Sequence, residues 1–476
     1  MKKLLVVLCL FISTGKLFAQ DFSQYNTGTL FDSFENPAQK TFIPDTSRKF
    51  ASNFFIPNFS GNFFLTGDGQ QTLKTRLVHN FYDNAALQTG AGKFNHVNGD
   101  FNVYIFMLKI YTSLDGDAEV GVFAQAKAEG TGTFSDDFIA LFNGSPSFPN
   151  NSYVNNITAN FHYQAYYQYG VTYREQITKR FALGFKLAYV SGITNQSMTV
   201  DQSAVNFDKV ADTASLYLKG VHHIASPTLN PFNNPGASLS VGTTYKTRDG
   251  FLLQANIKDL GFIHWSANAR YYNFNDTAGI YGLTSGEREN SYVAALKEAT
   301  TNSAAYKGYT TPLDGRVEIS ASKSYWLDDD YTVNYSPTLI ASKELFYNGF
   351  TAALVNPVRY GKYTVSIITE YDDMRLFNLG AQFMIKTPNA EFFIGSDRLY
   401  QSANVVAAAL GHESQIATIG SYTGADITFG ATFKFGPVIE HPMNASHIPM
   451  GDDDKGFLGK FFQKIFNPNA GQLKNN

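Results

Sequence analysis

Cysteine is all but missing: the 476 residues hold one, Cys9. It lies in an N-terminal stretch read below as a cleaved signal, so the mature chain would carry no thiol. Disulfide frameworks, thiol catalysis and cysteine-ligated metals are excluded together. Charge is also sparse. Asp, Glu, Lys and Arg make up 16% of the chain, against roughly 25% in an average soluble domain. The formal net charge of −3 leaves no basic excess, which argues against a nucleic-acid partner. No run of 18 or more apolar residues follows the N-terminal stretch, so no spanning helix is expected. Nucleophile elbows, phosphate loops and paired carboxylates at catalytic spacing are absent. The nine histidines follow no metal-ligand spacing. The acidic runs "LDDD" (327–330) and "EYDD" (370–373) lack the spaced ligands of a calcium loop and read as turns. The expectation is a protein that is not an enzyme and holds neither metal nor cofactor.

What the chain does have is aromatic side chains. Only 2 Trp occur, but 28 Tyr and 42 Phe bring aromatics to 15%. They are arranged with period two. In "FHYQAYYQYGVTYR" (161–174) the odd positions Phe161, Tyr163, Tyr167, Tyr169 and Tyr173 are expected to face lipid, and the even positions are mostly polar. "RFALGFKLAYVSG" (180–192), "RVEISASKSYW" (316–326) and "ITFGATFKF" (427–435) alternate in the same way. A soluble sandwich also alternates, but its strands usually run about five or six residues. These run ten or more, the length of a tilted strand crossing a bilayer. In lipid every backbone polar group must be paired, and a closed sheet does this with an apolar outside and a polar inside.

The opening "MKKLLVVLCLFISTGKLFAQ" has the layout of a secretion signal: Lys2 and Lys3, an apolar run from Leu4 to Ile12, and a small residue at Ala19. A lipoprotein anchor at Cys9 fits less well, because Cys9 lies inside the apolar run. The expected organisation is a signal at 1–19, an N-terminal hatch or plug at 20–47, a barrel over 48–437, and a linker with an amphipathic helix at 438–476. The expected strands are 48–66, 99–113, 118–131, 157–177, 181–193, 237–247, 251–274, 313–326, 331–343, 349–356, 361–370, 374–386, 389–398 and 425–436. Residues 194–235 read as a hairpin standing above the membrane. The fold class is therefore all-β: a transmembrane antiparallel β-barrel of about fourteen strands, with short loop helices and a C-terminal amphipathic helix.

Several segments carry a family resemblance: "TLFDSFENPAQKTF" (29–42), "FIALFNG" (138–144), "RFALGFKLAYVSG" (180–192), "GASLSVGTTYK" (236–246), "NIKDLGFIHW" (256–265) and "EFFIGSDRLY" (391–400). In this order they resemble an uncharacterised family of Gram-negative outer-membrane barrels. That family sits within the wider fatty-acid-transporter (FadL-like) superfamily. The resemblance implies a fourteen-strand barrel in the cell outer membrane whose lumen is plugged by a hatch carrying Asn36-Pro37-Ala38. It does not imply a substrate.

Three sets of candidate residues follow. Asn36, Pro37 and Ala38 would belong to a hatch that moves, or to a lead-in that only caps the barrel base. Arg174, Lys186, Arg316, Glu318 and Lys434, with Gln125, Lys127 and Glu129, face the lumen as a selectivity lining or as ion pairs filling it. Phe138, Ile139, Leu141 and Phe142, on a short helix capped by Ser135, would form an extracellular apolar groove or pack the helix onto the rim; packing is the preferred reading. "GFLGKFFQKIFNPN" (456–469) is amphipathic. It would lie on the inner leaflet, dock a periplasmic protein partner, or pack on the barrel base. The expected partners are outer-membrane lipid and a small apolar ligand. The first functional expectation is a channel for diffusion of small or apolar molecules. The second is a structural or secretion-associated barrel holding partners through its loops and C-terminal helix.

Overall fold

The computed structural model describes residues 26–439 except 44, 80, 81, 113–117, 348, 373, 375 and 410–421. The expected signal and the amphipathic C-terminal helix lie outside the described residues. Fourteen staves close an antiparallel barrel. The first is built from two pieces, Arg48–Ser52 and Asn58–Thr66. Next come Phe94–Tyr111, Ala118–Ser135, Ala159–Thr178, Phe181–Asp208, Pro235–Lys246 and Phe251–Trp265. Tyr309–Pro312 with Arg316–Lys323 forms the eighth. Thr338–Glu344, Phe350–Tyr360, Tyr363–Asp372, Phe377–Lys386, Ala390–Ser396 and Tyr422–Val438 complete the wall. The first stave pairs with Phe94–Tyr111 on one side and Tyr422–Val438 on the other, so the sheet has no free end. No described helix is long and apolar enough to cross a membrane.

The wall is two-faced because its sequence is. On Ala159–Thr178, Gln168 is 0% exposed while Tyr169 and Val171, in the opposite register, are 43% and 51% exposed. Polar residues line the interior, and aromatic and branched residues cover the outside, as a lipid-embedded closed sheet requires.

Three expectations need correction. The stave expected over 48–66 is interrupted at residues 53–57. Phe54 and Phe55 sit at positive φ, and the buried Asn53 side chain repairs the gap. Its Nδ2 donates to the carbonyls of Ile56, Tyr104 and Ile105, and its Oδ1 accepts from Met107 N. The strand expected over 251–274 is two strands, Phe251–Trp265 and Arg270–Tyr281. The second leaves the wall and pairs with Thr213–Ala225. Phe161, expected to face lipid, is 7% exposed and lies against the rings of Phe134 and His222.

Phe161 is covered because the strands outrun the bilayer. Phe181–Asp208 spans 28 residues. Its lower part pairs in the wall with Pro235–Lys246, and its upper part pairs with Thr213–Ala225. The resulting hairpin stands beyond the wall, as expected for 194–235, and Arg270–Tyr281 extends it to a third strand. One face carries Val205, Leu216, Leu218 and Phe274 and packs against loop helices α3 (Asp136–Ala140) and α4 (Arg288–Thr300). This gives the long-loop end a second apolar core. Helices α1 (Leu30–Glu35) and α2 (Gly69–His79) precede these in the chain, and α5 (Leu399–Ala409) follows them.

His222, on the covered face of the extension, is 5% exposed. Burial pushes its imidazole down to about 4. A folded value below the unfolded one means that stability is complete above about pH 6.5 and falls as pH drops toward 4. The loss should be on the order of 3 kcal/mol. Backbone amides of 195–225 should therefore lose exchange protection over that window while the wall keeps its own. A His222→Phe variant should not show the transition. Equal acid sensitivity in both chains would place its cause elsewhere.

Candidate functional site

Residues 26–42 run inside the barrel. Thr29 caps α1, its side chain accepting from Asp32 N. The apolar side of α1 then places Leu30, Phe31 and Phe34, each 0% exposed, against Tyr104, Phe123, Met384 and Phe393 on the inner wall. Phe31 meets Tyr104 and Phe393 edge-on at 5.6 Å. Beyond α1, Asn36 donates to Gln254 Oε1 at 2.9 Å and accepts from Ala38 N at 3.1 Å. Inward glycines make room for this turn. A Cβ on Gly184 would lie 2.2 Å from the Pro37 carbonyl, and one on Gly242 2.1 Å from Asn36 Oδ1. Such close backbone approach accounts for glycine inside a strand.

Every lumen-facing residue expected from the sequence is inward and at most 7% exposed. Arg174 Nε donates to Ala38 O at 2.8 Å, and Lys434 Nζ donates to Thr41 O at 3.0 Å. Arg316 pairs with Asp100 at 3.3 Å and Glu344 at 3.5 Å. Glu318 meets Lys258, which also holds Glu35 of α1 at 2.6 Å. Lys127 pairs with Asp259, Lys186 donates to Tyr104 and Gln125, and Glu129 accepts from Gln164 and Tyr166. These residues fasten the inner segment to the wall and fill the lumen at its level.

Phe138, Ile139, Leu141 and Phe142 are not open to a ligand. Each is at most 6% exposed in the second core. Phe142 stacks edge-on against Tyr292 of α4 at 4.7 Å. The Ser135 cap forms as expected, accepting from Phe138 N at 3.2 Å. Its helix is sealed by α4, whose place over it cannot be read from local spacing.

An apolar groove does exist, in the side of the wall. Ala390–Ser396 is a short stave of 7 residues. It pairs with Phe377–Lys386 only through Ala381–Lys386 and with Tyr422–Val438 only through Thr428–Phe433. Beyond it the edge of Tyr422–Val438 has no strand partner on that side among the described residues. Helix α5 covers the breach. Ser402 Oγ accepts from Asp426 N at 2.9 Å and donates to Asp426 O at 3.1 Å, standing in for the missing strand. The Asp426 carboxylate accepts from Ser396 Oγ and from the backbone N–H groups of Asp397 and Arg398. The groove between α5 and the wall has a volume of about 940 Å³. Phe59, Phe63, Phe383, Ile394 and Ile427 line it from the outward register, and Ala403 and Val406 line it from α5. Gln382, Gly395 and Asp426 carry the lining around to inward positions.

Arg398 closes the breach from within. It is 3% exposed, hydrogen-bonds Asn62, and lies 3.5 Å from Glu370 and 4.0 Å from Asp372. Its guanidinium sits 4.3 Å from the centre of the Phe64 ring. Sequence reading passed over it; the signal was an Arg directly after an aromatic strand. Among the described residues no three His, Cys, Asp or Glu side chains gather as a metal site.

A protein-family model described as a family of unknown function (DUF5723) matches residues 47–397. No curated protein matches the sequence. Solved structures with a similar arrangement include the Ralstonia pickettii toluene transporter TbuX, at 10% identity and TM-score 0.41, covering 85% of this chain and 94% of that one. The P. putida toluene transporter TodX matches at 8% identity and TM-score 0.41, covering 89% and 96%. A Pseudomonas aeruginosa FadL homologue matches at 12% identity and TM-score 0.41, covering 90% and 97%.

Proposed function

The chain belongs to the DUF5723 family of unknown function, and from its own geometry we propose that it is an outer-membrane channel that passes small apolar molecules sideways through its wall. Short turns face the periplasm and long loops the exterior, the usual order for such barrels. The observation that carries the reading is the side groove. It is apolar and opens among outward residues, yet part of its lining is inward. An axial path for polar solutes has less support, since the inner segment and its ion pairs occupy the lumen. Arg398 and its carboxylates would be the inner gate, and the hatch at Asn36, Pro37 and Ala38 would be the next element to move.

The test uses Gram-negative host cells with the full chain inserted in their outer membrane. Uptake of radiolabelled dodecane should exceed that of the host alone, while uptake of a polar sugar should not change. Ala403→Trp, which fills the groove from α5, should return dodecane uptake to the host level with heat-modifiable migration intact. Equal dodecane uptake with and without the chain would remove the channel reading and favour a structural or secretion-associated barrel.

A further inference from the structure

One polar side chain of the groove has no structural use in the wall. Gln382 is 3% exposed, and among the described residues neither its Nε2 nor its Oε1 has a hydrogen-bond partner. It sits in the inward register of Phe377–Lys386, paired across the sheet with Gly395. Both residues line the groove. A Cβ on Gly395 would come within 3.1 Å of Gln382 Cβ and 3.2 Å of its Cγ, so glycine there makes room for the Gln382 stem. Leaving a buried amide unmatched at both ends is unfavourable, and most buried polar groups avoid it. A ligand that supplies both partners would remove that penalty.

The surroundings set the charge of such a ligand. Arg398, two residues after the lining residue Ser396, is paired with Glu370 and Asp372 and bonded to Asn62. Asp426, also in the lining, is held by Ser396 and by the N–H groups of Asp397 and Arg398. In the Arg398 guanidinium only Nε lacks a hydrogen-bond partner among the described residues, and an anionic head reaching it would meet three carboxylates, Glu370, Asp372 and Asp426, against that one guanidinium. A cationic head would find the Asp426 carboxylate already occupied. An uncharged group that both donates and accepts matches the Gln382 amide. The rest of the lining is aromatic and aliphatic, which suits a hydrocarbon chain.

Building on the channel reading, we propose that the groove selects single-chain amphiphiles with an uncharged hydroxyl-type head, and that Gln382 is the residue that recognises the head. The full chain in detergent is tested for binding of radiolabelled dodecan-1-ol, dodecanoate at pH 8, and dodecane. Dodecan-1-ol should bind most tightly and dodecanoate most weakly. Gln382→Leu should lower the ratio of dodecan-1-ol to dodecane affinity by about five- to tenfold, the scale of one uncharged hydrogen bond. Gln382→Asn, which keeps the amide on a shorter stem, should retain part of the preference. Heat-modifiable migration reports whether each variant is folded. If Gln382→Leu leaves the ratio unchanged while Ala403→Trp abolishes binding of all three probes, the head-group assignment fails and the groove stands. If Ala403→Trp changes none of them, the groove itself is not the site, and both readings fall. Tightest binding of dodecanoate would overturn the neutral-head assignment alone.

Discussion

Replacing Arg398 by methionine should destabilise the barrel by about 3–5 kcal/mol, the usual range when one partner of a buried ion pair is removed. The reason is what stays behind. Glu370 and Asp372 are each 5% exposed. They come from the same stave, Tyr363–Asp372, on inward positions two residues apart. Arg398 is the cation that both approach. Asn378 donates to Glu370 at 3.0 Å, but a neutral amide cannot offset two carboxylates. The methionine would keep some of the packing against Phe64 and lose the charge. Urea unfolding in detergent should show the loss as a lower midpoint with an unchanged slope. Adding Glu370→Gln to Arg398→Met should restore a substantial part of it, because the uncompensated charge is then halved. If the double variant is no more stable than the single one, the ion pair is not what holds the breach shut. Arg398→Met should also raise dodecane uptake, since the gate has lost its bolt.

The alternation that revealed the barrel is a local property. A two-residue period and a lipid exterior determine which side chains face out, so the Gln168 and Tyr169 register was legible from 161–174 alone. The same rule misplaced Phe161. Its register was right, but its strand continues past the bilayer, and its outward face there is covered by Phe134 of the neighbouring stave and by His222 of the hairpin beyond the wall. Distant chain cannot be read from period two. "SNFFIPNFS" (52–60) hid its break for a related reason. Phe54, Phe55 and Ile56 look like strand, whereas Asn53 and Pro57 were the available signals: a side chain able to replace ladder hydrogen bonds, and a residue unable to donate to them. The inner ion pairs were legible as inward charges, but their partners were not, because the closure of the barrel decides which staves face one another. The side groove was missed altogether. It results from a strand too short to match its neighbours, and "EFFIGSDRLY" gives no sign of where pairing stops. Gly184 and Gly242 stood out as glycines in strand interiors, and only the inner segment seated on them supplies their reason.

Glu391→Leu should free the inner segment and be at least as destabilising as loss of Arg398, again about 3–5 kcal/mol. Glu391 is 1% exposed and acts as a hub. It accepts from Leu30 N at 3.0 Å, at the start of α1. It pairs with Lys434 at 2.7 Å and Lys386 at 3.9 Å. Those lysines hold the segment at two further places: Lys386 donates to Thr27 O and Gly28 O, and Lys434 donates to Thr41 O. Removing the carboxylate leaves two ammonium groups in a confined interior and unties the segment on both sides of α1. The near absence of cysteine gives a direct readout. Ser33 is 0% exposed in α1, so a Ser33→Cys thiol should resist a water-soluble maleimide in the otherwise unaltered barrel. With Glu391→Leu added, labelling should become fast while heat-modifiable migration persists, the chain without Ser33→Cys serving as the blank. Small polar solutes should then leak through the lumen, which the bound segment fills in the parent. Persistent protection of the thiol, despite a measured loss of stability, would mean that the segment is held mainly by packing of Leu30, Phe31 and Phe34. In that case the hatch would not be released by charge, and the gate would lie in the side wall alone.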